Sequence, residues 1–247
     1  MDDKKTGKLK KIIKELGSLI IAFSGGVDSS YLLKIAKNEL GKNVIAVTAK
    51  FPSIPESEIR YARKIAGVLN CRHIIIGYNQ LAIEELRNNH PDRCYHCKKR
   101  LFKELISIKD KYGFNFIADG TNYDDLNTYR PGIKALGELG IKSPLADAGL
   151  TRKEIIKHSR LLKLPTWNKP SFSCLLSRFP YGEIITGLKL KKVREAESFF
   201  HSLGLKHIRV RYHHPIARIE TGKEEIPLMS DPRIRGKIIK KLKNTDL

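Results

Sequence analysis

The run Ser24-Gly25-Gly26-Val27-Asp28-Ser29-Ser30 constrains this chain more than any other stretch. Leu19-Ile20-Ile21-Ala22-Phe23 precedes it, an unbroken apolar run of strand length. Tyr31-Leu32-Leu33-Lys34-Ile35-Ala36-Lys37 follows it and reads as a helix with one apolar side. A buried strand that feeds a Gly-rich turn, which in turn opens a helix, aims backbone N–H groups and the positive helix end at one point. Gly25 and Gly26 let the backbone approach an anion closely, and the hydroxyls of Ser24, Ser29 and Ser30 add donors. Asp28 would repel a bare anion. A divalent cation between them, such as Mg²⁺ on a nucleotide's phosphates, removes the conflict. The Lys next to Ser or Thr of the Walker A loop is absent, and the spacing is not that of the dinucleotide fingerprint.

The rest of the first 165 residues alternates buried strands with helices. A basic amphipathic helix over 4–16 comes first, with Leu9, Ile12, Ile13 and Leu16 on one side. Strands are expected at 19–23, 44–49, 72–76 and 114–119. Helices are expected at 56–69, 80–89, 98–112 and from the capping box Thr151-Arg152-Lys153-Glu154 to about 163. Residues 131–150, with four Gly and two Pro, read as irregular. This alternation predicts an α/β fold: a doubly wound parallel sheet covered on both faces, with ligands beyond the C-terminal strand ends where strand order reverses. The loop at Ser24, the loop at 50–53 and Gly120-Thr121-Asn122-Tyr123-Asp124-Asp125 meet that condition.

Residues 165–187 read as a long polar and aromatic loop, and loops of that length are usually functional. From 188 the pattern changes to a helix (190–203), two short strands (207–213 and 216–220) and a basic helix (234–242). The expected organisation is therefore a domain over 1–165, an active-site loop over 166–187 and a small α/β appendage over 188–247.

The formal charge of +21 is uneven. Residues 1–150 hold 25 Lys and Arg against 17 Asp and Glu, a net +8, whereas residues 151–247 hold 22 against 9, a net +13. A basic C-terminal part suggests an anionic partner, either a phosphorylated metabolite or RNA, and equally fits a Lys-rich solvated surface. No apolar run approaches membrane-spanning length, and the Met-Asp-Asp-Lys-Lys start carries no apolar signal core, so a cytoplasmic protein with no membrane partner is expected.

Two of the four cysteines form Cys94-Tyr95-His96-Cys97, expected as a turn ahead of a helix. A third, Cys174, lies in the long loop. In a cytoplasmic chain these favour a metal or redox role. Three thiolates with an open position suit an iron–sulfur cluster, whereas His96 or Cys71 as a fourth ligand would suit zinc. Cys71, at a strand start, reads as a buried thiol. Arg178 could grip phosphate bidentately. Arg209 and Arg211 share one strand face with Arg218 on the expected neighbour, a candidate anion pocket.

The Ser24–Ser30 loop resembles the signature of the PP-loop ATP pyrophosphatases (adenine nucleotide alpha hydrolase-like fold). With Pro91 to Lys99, Asp119-Gly120-Thr121-Asn122, Trp167, Lys169-Pro170-Ser171, Cys174 to Gly182, Arg209-Val210-Arg211 and Ala217-Arg218-Ile219-Glu220, the chain resembles the ATP-dependent sulfur transferases of nickel-pincer nucleotide cofactor synthesis, the LarE type. That resemblance implies ATP and Mg²⁺ as cofactors. Ser24, Gly25, Gly26, Val27, Asp28, Ser29 and Ser30 would hold the phosphates, Asp28 would orient the metal, and Gly120 and Thr121 would lie beside the nucleotide. The loop after the second strand would cradle adenine. Asp124 or Asp125 would be a second metal contact.

The implied substrate is a phosphorylated pyridinium dicarboxylate, met by Arg178, Arg209, Arg211 and Arg218. One form of the family sacrifices the cysteine at Cys174. The other holds a 4Fe–4S cluster on three cysteines, matching Cys94, Cys97 and Cys174, fed by sulfide or a sulfur donor. The family implies a homo-oligomer such as a hexamer. The alternatives are a tRNA thiolase using the same chemistry, an amidotransferase-type synthetase without a sulfur role, and a zinc-stapled ATP-binding module.

Overall fold

The structure, a computed structural model, describes residues 4–128 and 130–243. Met1, Asp2 and Asp3, part of the N-terminal reading, lie outside these residues. In chain order the elements are α1 (Lys4–Leu16), β1 (Leu19–Ala22), α2 (Val27–Leu40), β2 (Val44–Lys50), α3 (Glu56–Val68), β3 (Arg72–Gly77), α4 (Glu84–Arg87), α5 (Arg93–Tyr112) and β4 (Phe116–Ala118). They continue with α6 (Pro131–Glu138), α7 (Pro144–Asp147), α8 (Arg152–Leu161), α9 (Gly187–Ser202), β5 (Arg209–His213), β6 (Ile216–Glu220), α10 (Ile226–Ser230) and α11 (Pro232–Lys243). The chain divides into two compact units: residues 1–78 with 92–172, and residues 79–91 with 173–247. The reading from sequence kept 79–91 with the first domain and set 166–187 apart as a loop.

The first unit holds a parallel sheet in the order β3-β2-β1-β4, so strand order reverses at β1. Leu19 pairs with Val44 on one side and with Phe116 on the other. Alternate residues face opposite layers. Leu19, Ile21, Val44, Ala46 and Ala118 pack in one core with residues of α1, α2, α3 and α8. Ile20, Ile45, Val47 and Ile117 pack in a second core with Phe102 and Leu105 of α5 and Leu136 of α6. Burial on both faces is why these strands read as unbroken apolar runs.

In α1, Leu9, Ile13 and Leu16 fall on one helical face and are buried. The capping box of α8 forms: Thr151 Oγ1 accepts from the Glu154 N–H, and the Thr151 N–H donates to Glu154 Oε2 at 2.9 Å. The other carboxylate oxygen takes Lys5 Nζ at 2.8 Å. Burial alone would raise the Glu154 carboxyl. Its bonds from Lys5 and Thr151 outweigh that and hold it at about 2.

Three expectations fail locally. The helix expected over 80–89 breaks at the extended Ile83, leaving a tight turn over Gln80–Ala82 and the short α4. Residues 131–150 are not irregular, because Pro131 and Pro144 each take a first-turn position, where a missing N–H costs nothing and the fixed φ favours the helix. And α5 begins at Arg93, so Cys94-Tyr95-His96-Cys97 is its first turn, not a turn ahead of it.

The second unit packs α9 and α11 on the antiparallel pair β5-β6, around Ala196, Phe200, Val210 and Ile238. Residues 79–91 belong here: Asn89 Nδ2 donates to the carbonyls of Phe179 (3.0 Å) and Pro180 (2.7 Å), and the Ile185 N–H donates to the Arg87 carbonyl at 2.8 Å.

Candidate active site

The phosphate loop leaves β1 and is pinned at its entry. The Phe23 N–H donates to the Val47 carbonyl, Thr48 Oγ1 donates to the Phe23 carbonyl at 2.6 Å, and His73 Nε2 lies 2.7 Å from that hydroxyl. Gly25 then takes φ +68, and a Cβ there would lie 2.9 Å from the Ala62 Cα, so both the conformation and the space require glycine. Gly26 caps α2, and its N–H donates to Ser24 Oγ at 3.3 Å. The hydroxyls of Ser24 and Ser29 meet at 3.1 Å. Val27 is buried, and Ser30 Oγ is buried with no hydrogen-bond partner among the described residues. The expected anion loop thus has its backbone and hydroxyl donors gathered at the first turn of α2.

The loop after β4 lies against it. A Cβ on Gly120 would come within 3.1 Å of the Ser29 nitrogen. Asp119 accepts from the Thr121 N–H (3.1 Å), Thr121 Oγ1 (2.6 Å), Ser143 Oγ (2.9 Å) and Lys98 Nζ (3.3 Å), which fixes Gly120 and Thr121 in place. Asn122 Nδ2 reaches Asp28 Oδ1 at 3.4 Å, and Arg152 Nη1 donates to Asp28 Oδ2. Burial pushes the Asp28 carboxyl above its ordinary value, against the pull of Arg152 and Asn122. A carboxylate in that setting is stabilised by added positive charge. Asp124 and Asp125 are engaged locally: Asp124 Oδ2 accepts the Arg152 N–H at 2.8 Å, and Asp125 caps its own turn through the Asn122 N–H and pairs with Arg130 at 2.7 Å.

The residue after Cys97 is the Lys98 that touches Asp119, so the first turn of α5 connects through one side chain to the nucleotide-side loop. Cys94 is exposed and Cys97 half-buried, and at i, i+3 they share a helix face. Tyr78 Oη donates to the Cys97 carbonyl at 3.2 Å. His96 Nε2 lies 3.2 Å from Asp92 Oδ2. Cys71 is a buried thiol lying 3.6 Å from the carbonyls of Val44 and Arg72, and burial raises it. All four cysteines are thiols. Among the described residues, no three His, Cys, Asp or Glu side chains are grouped to hold a metal ion.

Cys174, in the second unit, is exposed and opens a short turn over Leu175–Arg178. Its carbonyl accepts from the Ser177 N–H (3.0 Å) and Ser177 Oγ (2.8 Å). Arg178 was expected to meet substrate. Instead it is 3% exposed, with Nε on Glu197 Oε1 at 2.6 Å and Nη1 on the hydroxyls of Ser173 (2.8 Å) and Ser177 (2.9 Å). Its charge is neutralised internally, and its contacts tie the Cys174 turn to Glu197. Glu197 also accepts the Val210 N–H at 3.0 Å, so one buried carboxylate joins α9, β5 and the cysteine turn. Glu197→Ala is expected to destabilise the protein by about 3–5 kcal/mol, because it strands a buried guanidinium. Thermal unfolding of the variant checks this.

The other arginines sit on β5 and β6 where the strand pattern set them. Arg211 lies directly opposite Arg218 in the β5-β6 register. Glu220 bridges them at 2.9 and 2.8 Å, and Arg211 Nη1 also reaches the Ser177 carbonyl at 2.5 Å. Arg209 is exposed.

Reading by motif missed Arg152, Asn122, Lys98 and Lys169, whose Nζ sits 2.8 Å from Glu58 Oε2 and 3.5 Å from the Gly25 carbonyl. Lys98, Asn122 and Lys169 lie inside stretches already singled out. Arg152 sits inside a capping box, whose local role concealed a tertiary one.

A four-stranded parallel sheet with this loop at its reversal point, covered on both faces, defines a PP-loop enzyme that uses ATP. A family model described as asparagine synthase matches residues 15–108. The pyridinium-3,5-bisthiocarboxylic acid mononucleotide synthase of Lactiplantibacillus plantarum is 35% identical over 223 residues, covering 90% of this chain and 81% of that protein. An uncharacterised protein of Synechocystis is 39% identical over 244 residues (99% and 91%), and one of Methanocaldococcus jannaschii is 35% identical over 244 residues (98% and 92%). The chain belongs to the synthase's family of PP-loop, ATP-dependent sulfurtransferases. Among the described residues no helix is long and apolar enough to cross a membrane.

Proposed function

We propose that the chain transfers sulfur to a carboxylate of a pyridinium dicarboxylate mononucleotide in nickel-pincer nucleotide synthesis. The observation that carries this is the 35% identity to the named synthase over 90% of the chain. A substrate carboxylate oxygen attacks the α-phosphorus of ATP, the α–β bridge breaks and pyrophosphate leaves. A sulfur nucleophile then attacks the acyl carbon of the adenylate. The C–S bond forms, the C–O bond to AMP breaks, and a thiocarboxylate remains.

Ser24 to Ser30 receive the phosphates through backbone N–H groups and hydroxyls. Asp28 is the anchor for Mg²⁺, and its half-buried carboxylate fits that ion. Gly120 and Thr121 flank the nucleotide, and Asp124 or Asp125 adds a second metal contact. Arg209, Arg211 and Arg218 bind the substrate phosphate and its second carboxylate. Arg178 acts through Ser173 and Ser177 as a positioning residue. The rate gain comes mainly from holding two anionic molecules together and neutralising the departing pyrophosphate.

Cys94, Cys97 and Cys174 would hold a 4Fe–4S cluster. Their donor chemistry fits: two thiols share one helix face, Cys94 is exposed there, and Cys174 is exposed on its own turn. When bound with extra sulfide, the cluster supplies the sulfur nucleophile.

Iron, zinc and acid-labile sulfide are to be measured on protein purified without air, alongside turnover with the carboxylated mononucleotide. About four irons and matching sulfide per chain, with repeated turnover, are expected. Iron-free protein that converts substrate once and loses the Cys174 sulfur overturns the cluster assignment. Zinc without pyrophosphate release points to a stapled binding module. Strongly salt-dependent tRNA binding favours the thiolase alternative.

A further inference from the structure

Arg152 stands out among the cations of the first unit. Its backbone is fixed: it is the first residue of α8, its N–H donates to Asp124 Oδ2 at 2.8 Å, and the capping box brackets it. Its guanidinium is held only by two side-chain contacts. Nη1 lies on Asp28 Oδ2 in the first turn of the phosphate-loop helix, and Nη2 is 3.3 Å from the neutral hydroxyl of Ser171. The side chain is 32% exposed, against 18% for Asp28. The neighbouring Lys169 differs. It is 14% exposed, paired with Glu58, and lies 4.1 Å from the centre of the Tyr61 ring.

We propose that Arg152 binds the β- and γ-phosphates of ATP, and hence pyrophosphate, by moving its guanidinium from Asp28 to the phosphate oxygens as Mg²⁺ arrives on Asp28. This rests on the reading of Asp28 as the magnesium anchor. Two cations on one small carboxylate repel each other, and the divalent ion is the stronger partner for a half-buried one. The departing guanidinium meets a polyphosphate whose paired oxygens match its fork. Because the α8 backbone is anchored, only side-chain torsions need change. The Ser171 hydroxyl gives way at small cost, being a neutral acceptor at the long end of hydrogen-bond distance. The exchange leaves the charge balance intact at each stage: Asp28 always has a cation, and the pyrophosphate leaves with one beside it.

The test compares affinities for MgATP, magnesium pyrophosphate and AMP by calorimetry in wild type, Arg152→Gln and Arg152→Lys. Arg152→Gln is expected to lose about 10–100-fold in affinity for MgATP and pyrophosphate while binding AMP within about 2-fold of wild type. Arg152→Lys, which keeps the charge and loses the fork, is expected to fall between. It also carries the test if the glutamine variant does not fold. Equal losses for ATP and AMP would mean that Arg152 only shapes the site, and unchanged pyrophosphate affinity would mean that it never leaves Asp28. Either result overturns the proposal. Wild-type protein that binds no MgATP would instead overturn the reading on which it rests.

Discussion

Asp28→Asn is expected to lower ATP-dependent pyrophosphate release by about 10²–10³-fold, the scale seen when a charge-stabilising group is removed from a phosphoryl or acyl transfer site. The change keeps the shape of the side chain and its contact with Asn122, and removes only the charge proposed to receive Mg²⁺. Folding should survive it. Burial already disfavours the Asp28 carboxylate, so a neutral amide relieves desolvation even as Arg152 loses a charged partner. Pyrophosphate release at saturating ATP is the measurement, with thermal unfolding as control. A variant with wild-type release would remove Asp28 from the magnesium site. A variant that binds adenosine and AMP normally but releases no pyrophosphate would localise its role to the metal-borne phosphates.

Cys174→Ala is expected to cut sulfur transfer by roughly 10³-fold or more, while substrate-dependent ATP–pyrophosphate exchange stays within about 3-fold of wild type. The selectivity follows from the local geometry. The bonds that close the Cys174 turn land on its carbonyl oxygen from Ser177, and Arg178 holds Ser173 and Ser177 from behind, so deleting the thiol leaves that scaffold standing. Cys94→Ala separates the two sulfur sources. It abolishes transfer if the three cysteines share a cluster, and leaves a single turnover if Cys174 itself is consumed. Quantifying thiocarboxylate product against chain concentration reads both outcomes.

The strand–turn–helix around Ser24 was legible because two physical constraints coincide there. A strand buried on both faces must be continuously apolar, and a backbone that meets an anion must be glycine-rich. The rule that ligand loops follow the C-terminal strand ends singled out Gly120 to Asp125 as well, and Gly120 lies against Ser29. Where the reading failed, local signals had two meanings. Pro131 and Pro144 suggested interruption, but each opens a helix. The tetrapeptide from Cys94 to Cys97 looked like a metal-binding turn, yet it is helical from Arg93 onward. Arg178 looked like a ligand arginine because one sequence cannot reveal that Glu197, 19 residues on, lies against it in the interior. Arg152 was hidden for the opposite reason. Its capping-box neighbours explained its presence, and only the tertiary fold brings it 124 residues back to Asp28.

The segment 79–91 has a consequence for how the molecule is made. Asn89 is synthesised 90 residues before the Phe179 carbonyl that accepts from its amide. At ribosomal speeds of about 5–20 residues per second, that is a wait of roughly 5–18 s. During it the sheet of the first unit can be completed, because its last strand ends at Ala118. The segment carrying Leu86, fully buried in the finished protein, has no such option until the C-terminal unit emerges. A nascent chain halted near residue 172 would therefore carry an ordered nucleotide domain with Leu86 and Asn89 of this segment still without their C-terminal partners. Splitting the gene between the two units would make that interval permanent.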